Sequence, residues 1–203
     1  MKRKLWLYLT LLTVLLAVGT ALLLGIAQSG AGTQPIYKSL PKPGGAQTAQ
    51  QAYVALESWA KTWSADAQVI AVSASLLKSE GQGQWWSFQL YSPSKRRVAM
   101  VLVQPSKIWM LREQTISYPQ KDIPSQQWVL DSDAFLSKWW EERGSVIWQQ
   151  SRAQSMHVHL GLQKNGVLVW QLSLMDMKGD LIDYWMIKAD DGEVLSSGVL
   201  GGN

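Results

Sequence analysis

The chain has 203 residues, of which 47% are hydrophobic and 17% charged, so it can form a folded core and is not a disordered protein. Its formal net charge is +4, but Lys2, Arg3 and Lys4 supply three of those charges, and the remainder of +1 excludes the basic surface of a nucleic-acid-binding protein. There are no cysteines. Their absence excludes a disulfide framework, a cysteine zinc site, a thiol nucleophile and a lipoprotein anchor.

The first predicted element, within residues 1–27, is a membrane-spanning helix. From Leu5 to Ala27 the chain carries no charged residue over 23 positions, and at about 1.5 Å per residue such a helix crosses a hydrocarbon core of about 30 Å. Three basic residues precede this segment and none follows until Lys38. The positive-inside rule therefore places the N-terminus in the cytoplasm and the remainder outside the cell membrane. A cleavable signal peptide ending near Ala27 is the alternative, and either interpretation exports the domain.

Residues 28–47 are predicted to form a flexible stalk between this anchor and the exported part. The segment contains three prolines and the pair Gly44-Gly45, and its apolar residues show no periodicity. Such a composition is typical of a spacer without regular secondary structure.

The first exported unit, residues 48–126, is predicted to begin with a helix that Thr48 caps. Its apolar stripe consists of Ala52, Leu56, Trp59 and Trp63. Alternating apolar residues then predict a series of strands, at 69–77, around Trp86 to Leu90, at 98–103 and within 108–118.

The second unit, residues 127–203, repeats this order of elements. A helix is predicted to start at Asp131 and to bury Phe135, Trp139 and Trp140. Strands follow at 156–162 and 167–174, joined by a turn at Gly166, and two more follow before the C-terminus. Aligning Phe88 to Leu90 with Trp170 to Leu172 gives an offset of 82 residues. The predicted fold class is α+β: two units, each with one helix packed on its own antiparallel sheet.

Three stretches of the second half carry a family resemblance: WVLDSDAF at 128–135, VWQLSL at 169–174 and WMIKADDGEVL at 185–195. They resemble the PepSY-like domains of exported, membrane-anchored bacterial proteins. Tandem units behind one N-terminal helix are similar to small anchored proteins with two cystatin-like halves. The resemblance implies a protein that binds or restrains extracytoplasmic partners such as peptidases.

The candidate metal ligands form no complete set. His157 and His159 lie two apart on a predicted strand and therefore share a face, but a third ligand is not evident. The acidic residues around two glycine turns depart from the spacing of a calcium loop, and polar hairpin turns explain them better. Those residues are Asp176, Asp180 and Asp183 near Gly179, and Asp190, Asp191 and Glu193 near Gly192.

Two charged clusters are interpreted as solvated surface. Glu141, Glu142 and Arg143 are predicted to lie on the wet face of a helix, and Lys95, Arg96 and Arg97 are predicted to form a basic turn. The basic turn has a second interpretation, contact with anionic lipid or a cell-wall polymer. No nucleotide-binding, metalloprotease or serine-hydrolase motif occurs in the sequence. We therefore predict no catalytic, cofactor-binding or metal-binding residues and no cofactor.

The function predicted from the sequence is that of a non-catalytic interaction module, tethered to the cell membrane and binding a protein partner at its outer face. Two alternatives remain open. The protein could be an accessory subunit of a larger membrane complex, because Ala17, Gly19, Ala21 and Gly25 would suit helix packing. It could also bind cell-wall polysaccharide through exposed residues among its 12 tryptophans.

Overall fold

The computed structural model describes residues 41, 43–44, 47–78 and 85–199, which all belong to one unit, Pro35–Asn203. The predicted membrane helix and most of the predicted stalk lie outside the described residues. None of the helices in the described ranges is long and apolar enough to cross a membrane. The end of the predicted stalk is packed, because Pro41, Pro43 and Gly44 are buried. A Cβ on Gly44 would lie 1.9 Å from Trp86 Nε1, so only glycine fits against this indole.

The described chain runs through one helix, four strands, a helical segment and four further strands. Their bounds are α1 (Ala49–Trp63), β1 (Gln68–Leu77), β2 (Trp86–Ser92), β3 (Arg97–Gln104), β4 (Lys107–Thr115), a 3-10 turn (Ser125–Gln127), α2 (Ser132–Trp139), a π turn (Trp140–Gly144), α3 (Ser145–Gln150), β5 (Ser155–Leu162), β6 (Leu168–Met175), β7 (Leu181–Lys188) and β8 (Val194–Val199).

Helix α1 begins at a reciprocal capping box. Thr48 Oγ1 accepts the Gln51 N–H, and the Gln51 side chain accepts the Thr48 N–H in return. The buried side chains follow three- and four-residue steps and form one apolar stripe, Ala49, Ala52, Leu56 and Ala60. The predicted Trp59 and Trp63 flank this stripe and are half-buried. The helix therefore packs through small residues and leucine and lies close to the sheet.

The second helical segment starts at Asp131, as predicted, but it is interrupted. One turn, Trp140–Gly144, has π geometry and joins α2 to α3. Phe135 and Trp139 are fully buried. A Cβ on Gly144 would lie 2.5 Å from the Trp139 ring, so glycine lets the turn close over this indole. A single bulged turn of this kind shifts every later side chain around the axis, which helical periodicity does not predict.

The eight strands form one antiparallel sheet in the order β4-β3-β2-β1-β5-β6-β7-β8. The two series of strands meet at its centre, where β1 pairs with β5 from Ala71 opposite Gly161 to Leu77 opposite Ser155. Each hairpin pairs strands that are adjacent in the sequence, so the central pairing is the one long-range join in the sheet.

The predicted fold class, two units each with its own sheet, is wrong. The pairing of β1 with β5 merges all eight strands into one sheet, and the described helices are a minor part of the fold. The physical reason is that alternation in a sequence identifies the two faces of a strand but not the strand that lies beside it. The open edge of β1 is covered by β5 because an unpaired edge leaves backbone donors and acceptors unsatisfied by the protein.

The helices cover one face of the sheet, and a chain of aromatic rings fills the centre of the core. Trp170 stacks on Phe135 with ring centroids 5.3 Å apart, and it meets Trp86 and Trp128 edge-on at 6.3 and 6.2 Å. Phe135 also stacks on Trp185 at 5.4 Å. Edge-on and offset arrangements are the favourable ones for aromatic pairs.

The starts of the two helices are joined directly above these rings. The Ala49 N–H donates to Ser132 Oγ (2.9 Å) and the Gln50 N–H donates to Asp131 Oδ1 (3.0 Å). The residues that cap α2 therefore also satisfy donors of α1. Below them, Trp86 Nε1 donates to the Gln47 carbonyl (2.9 Å) and Trp170 Nε1 donates to the Leu130 carbonyl (2.8 Å).

Candidate functional site

A groove of about 470 Å³ lies between α1, the start of β1 and the segment that leads to the second helix. We call it the α1 groove. Its floor is apolar and includes Leu56, Leu90 and Trp128, all of which are buried. Its exposed rim carries both signs of charge, with Glu57 and Lys61 on α1 and Asp122 on the opposite bank. The volume falls within the range of about 300–1,000 Å³ that is usual for ligand sites.

The local sequence explains both banks of the groove. On α1, Tyr53, Glu57 and Lys61 follow one another at four-residue steps and therefore share one side of the helix. The opposite bank is held by the Ile123 N–H, which donates to the Val69 carbonyl (2.7 Å). It is also held by Gln50 Nε2, which donates to the Trp128 carbonyl (2.9 Å). The groove is therefore bounded by backbone that is tied to the sheet and to the helix.

Tyr53 and Trp128, which both line the groove, lie side by side. Burial, and then the neighbouring Glu57 carboxylate, raise the pKa of Tyr53 above its ordinary value, so its hydroxyl stays protonated and donates to Glu57 Oε1 (3.4 Å). The Tyr53 and Trp128 rings lie 5.7 Å apart. Trp128 Nε1 is buried and has no hydrogen-bond partner among the described residues. A buried donor without an acceptor costs stability.

The structure brings the two histidines onto the face of the sheet opposite the helices. His157 Nδ1 lies 2.8 Å from Ser75 Oγ, and its Nε2 lies 3.3 Å from Ser155 Oγ. His159 is exposed and His157 is half-buried, and the desolvation that accompanies packing on the sheet lowers the pKa of both rings. No group of three or more metal-ligating residues occurs among the residues that the structure describes. The contacts of His157 are those of a hydrogen-bonded surface residue.

The acidic turns are built as the sequence predicts, except at Asp183. Asp176 Oδ1 accepts the Lys178 and Asp180 N–H groups at 2.8 and 3.0 Å, which closes the turn at Gly179. Asp183 is instead fully buried, and its Oδ1 lies 2.6 Å from Arg143 Nη2. The sequence predicts Arg143 on the wet face of a helix, but the π turn directs it inward. Burial raises the pKa of Asp183, although Arg143 opposes the shift.

The three basic residues of the turn are exposed, as predicted, but they differ in their contacts. The Lys95 ammonium donates to the Trp63 carbonyl and lies 5.3 Å from the Trp63 ring, and Arg97 pairs with Glu113 at 3.3 Å. Arg96 makes no ion pair with a described residue and lies in the left-handed backbone region at φ 51°. The three basic residues that the sequence groups together therefore have three different environments.

Sequence reasoning missed the α1 groove and the Arg143–Asp183 pair. One signal for the pair was present, because Asp183 shares the inward face of β7 with Trp185 and Ile187. A charge at an inward position of a strand indicates a buried partner. The groove left a weaker signal, because the four-residue steps of Tyr53, Glu57 and Lys61 do not show what lies opposite them.

The chain matches no family model, no curated protein and no solved structure. The resemblance to PepSY-like and cystatin-like domains therefore stays a prediction, as do the membrane anchor and the extracytoplasmic location.

Proposed function

We propose that this chain is a non-catalytic interaction module, tethered at the outer face of the cytoplasmic membrane, and that its α1 groove binds an extended segment of a protein partner. The observation that supports this function best is the groove itself. It combines a buried apolar floor with an exposed rim that carries both charges. A peptide has matching features, since its apolar side chains can enter the groove and pack against the floor while its backbone contacts polar groups on the rim.

The polar groups suit a peptide backbone in particular. Ser125 and Gln126 line the groove and are exposed, and their side chains can both donate to and accept from a peptide backbone. Glu57 and Lys61 lie one helical turn apart and would meet basic and acidic side chains respectively. The resemblance of residues 128–195 to PepSY-like domains would make this partner an exported protein such as a peptidase.

The tryptophans argue against the polysaccharide alternative in its simplest form. All eleven tryptophans in the described ranges are buried or half-buried, so none of them offers the fully exposed ring on which a sugar could stack. Most of them fill the core or lie against it. The alternative of an accessory subunit rests on the membrane helix, which lies outside the described residues.

A site-specific cross-link tests the proposed function. A photo-reactive amino acid is placed at Lys61, which lines the groove, or at Ser58, which is exposed on α1 outside it. The full chain is expressed in its native cells in both cases. We expect one adduct of discrete mass from Lys61 and none from Ser58.

A groove-filling variant completes the test. Ala67→Trp places a large ring in the groove at a half-buried position and should abolish the Lys61 adduct without lowering the melting temperature. Equal adducts from Lys61 and Ser58, or an undiminished adduct in the Ala67→Trp chain, would show that the groove is not the binding site.

A further inference from the structure

We propose that a second pocket, at the turn between β2 and β3, binds an anionic sugar or polyol polymer through Arg96. This turn pocket has a volume of about 290 Å³ and shares no lining residue with the α1 groove. Its lining includes Tyr91, Pro93, Arg96, Tyr118 and Pro119.

The backbone of Arg96 has a conformation that is uncommon for a residue with a side chain. Its φ of 51° makes it the one residue other than glycine with positive φ in the described ranges. Two hydrogen bonds hold this conformation: the Arg96 N–H donates to the Pro93 carbonyl (3.4 Å), and the Ile116 N–H donates to the Arg96 carbonyl (3.0 Å). The left-handed region disfavours side chains with a Cβ, and glycine or asparagine is the usual occupant. A residue of an unfavoured type at such a position is a reason to ask what its side chain contacts.

The Arg96 side chain differs from its two basic neighbours in its contacts. Its two neighbours in the turn are engaged, Lys95 with Trp63 and Arg97 with Glu113. Arg96 is exposed, and among the described residues no carboxylate pairs with it. A guanidinium presents donors in a planar fork that matches a carboxylate or a phosphate group. The turn pocket therefore offers one unpaired, anion-binding side chain.

The side chains that line the turn pocket indicate the kind of molecule to which the anionic group belongs. Tyr91 is 5% exposed and Tyr118 is 65% exposed, so one ring closes the pocket and the other is available at its mouth. Two prolines add flat, non-hydrogen-bonding surface. A sugar or polyol unit presents both C–H faces for such walls and hydroxyl groups for the tyrosines. Tyr118 is the only large exposed hydrophobic side chain in the pocket, which is too little apolar surface for insertion into a lipid bilayer.

The test measures binding of the full chain, in a neutral detergent, to two soluble probes, polygalacturonate and poly(glycerol phosphate). Neutral dextran and glycerophosphoglycerol, the soluble headgroup of phosphatidylglycerol, serve as comparison probes. We expect at least one of the anionic polymers to bind and dextran not to bind. Arg96→Gly should weaken binding by about tenfold or more. The same change should leave the melting temperature unchanged or raise it, because glycine suits the positive φ.

Two further variants distinguish binding in the turn pocket from a nonspecific attraction between the positively charged surface and the polymer. Tyr118→Ala should weaken binding to the same polymer, whereas Lys107→Gln, which removes one positive charge outside the pocket, should leave it within about twofold. The proposal fails if neither polymer binds, or if glycerophosphoglycerol alone binds as tightly as the polymers. It also fails if Arg96→Gly binds like the unchanged chain, or if Lys107→Gln loses as much affinity as Arg96→Gly.

Discussion

The two series of elements, α1 with β1–β4 and α2–α3 with β5–β8, have the same order but differ in charge and in helix geometry. Residues 48–126 carry eight basic and five acidic residues, whereas residues 127–203 carry six basic and ten acidic ones. In the first series the helix is regular, and a groove remains beside it. In the second series a π turn interrupts the helix and places Arg143 on a buried carboxylate.

The difference shows that the same order of elements can leave a groove beside its helix or bury a charge from its helix. A tryptophan at the second strand of each series donates to the carbonyl that precedes the helix cap, and this shared contact sets the helix start. Beyond its start, each helix is free to vary. The first helix leaves polar side chains exposed along the α1 groove, and the second directs its charge into the protein. We therefore expect binding variants to concentrate in the first series and stability variants in the second.

The largest effect should come from the two tryptophans that hold the helix starts. Trp170→Ala should lower the free energy of unfolding by about 5 kcal/mol and Trp86→Ala by about 3 kcal/mol, at the two ends of the range for such truncations. Among the described residues, Trp170 contacts three other aromatic rings, while Trp86 contacts the Trp170 ring alone. Urea unfolding followed by far-UV circular dichroism measures both. A larger loss for Trp86→Ala would show that the second series does not supply the centre of the core.

The next largest effect concerns the buried ion pair. Arg143→Ala leaves Asp183 buried without a cation and should lower the free energy of unfolding by about 3 kcal/mol at neutral pH. The raised pKa of Asp183 means that its protonated form suits the folded state, so the cost of its charge is absent below its unfolded pKa and grows as the pH rises through the folded value. The difference between Arg143→Ala and the unchanged chain should therefore shrink towards pH 4.

A double variant serves as the control for the ion pair. Arg143→Met with Asp183→Leu removes both charges together and should recover most of the stability that Arg143→Ala loses. If the double variant is as unstable as Arg143→Ala, the loss comes from the shape of the π turn and not from the uncompensated charge.

The smallest effect should be a change in pH dependence in the first series. Asp66 accepts hydrogen bonds from the Ser64 and Ser92 hydroxyls and the Ser94 N–H, each at 2.7 Å, and these bonds hold its pKa below the ordinary value. A lowered pKa gives stability that is complete above the unfolded pKa of about 3.9 and is lost as the pH falls below it.

Urea midpoints measured between pH 7 and pH 2 test this dependence. Asp66→Asn, which has no charge to titrate, should lose less stability over the acid range than the unchanged chain. Parallel curves for the two proteins would contradict the role of the Asp66 carboxylate. The pKa shift of Asp66 is opposite in sign to that of Asp183. Acid should therefore remove stability that depends on Asp66 and should remove the cost of the buried Asp183 charge.

The parts of the fold that local chemistry determines could be predicted from the sequence. The caps at Thr48 and Asp131 and the turn at Gly166 depend on residues within a few positions of one another. The inward faces of the strands also followed from alternation, as at Trp86 to Leu90. These features require no knowledge of distant parts of the chain.

The parts that depend on distant contacts could not be predicted. The pairing of β1 with β5 joins Ser75 to His157, two residues that are 82 positions apart. The π turn depends on the fit of Gly144 against the Trp139 ring. The α1 groove exists because residues 122–128 return to the start of β1, which only the assembled sheet reveals. Its candidate binding residues therefore had no signature of their own in the sequence.

The central pairing of β1 with β5 has a consequence for how the chain folds as it is made. Until residues 155–162 have left the ribosome, β1 has a partner on one side only, and its other edge is open. Pairings over such separations form slowly, and an open edge in the meantime can pair with another chain. The caps that α1 receives from Asp131 and Ser132 also arrive late. The period after the first four strands emerge is therefore the stage of synthesis at which a chaperone would matter most.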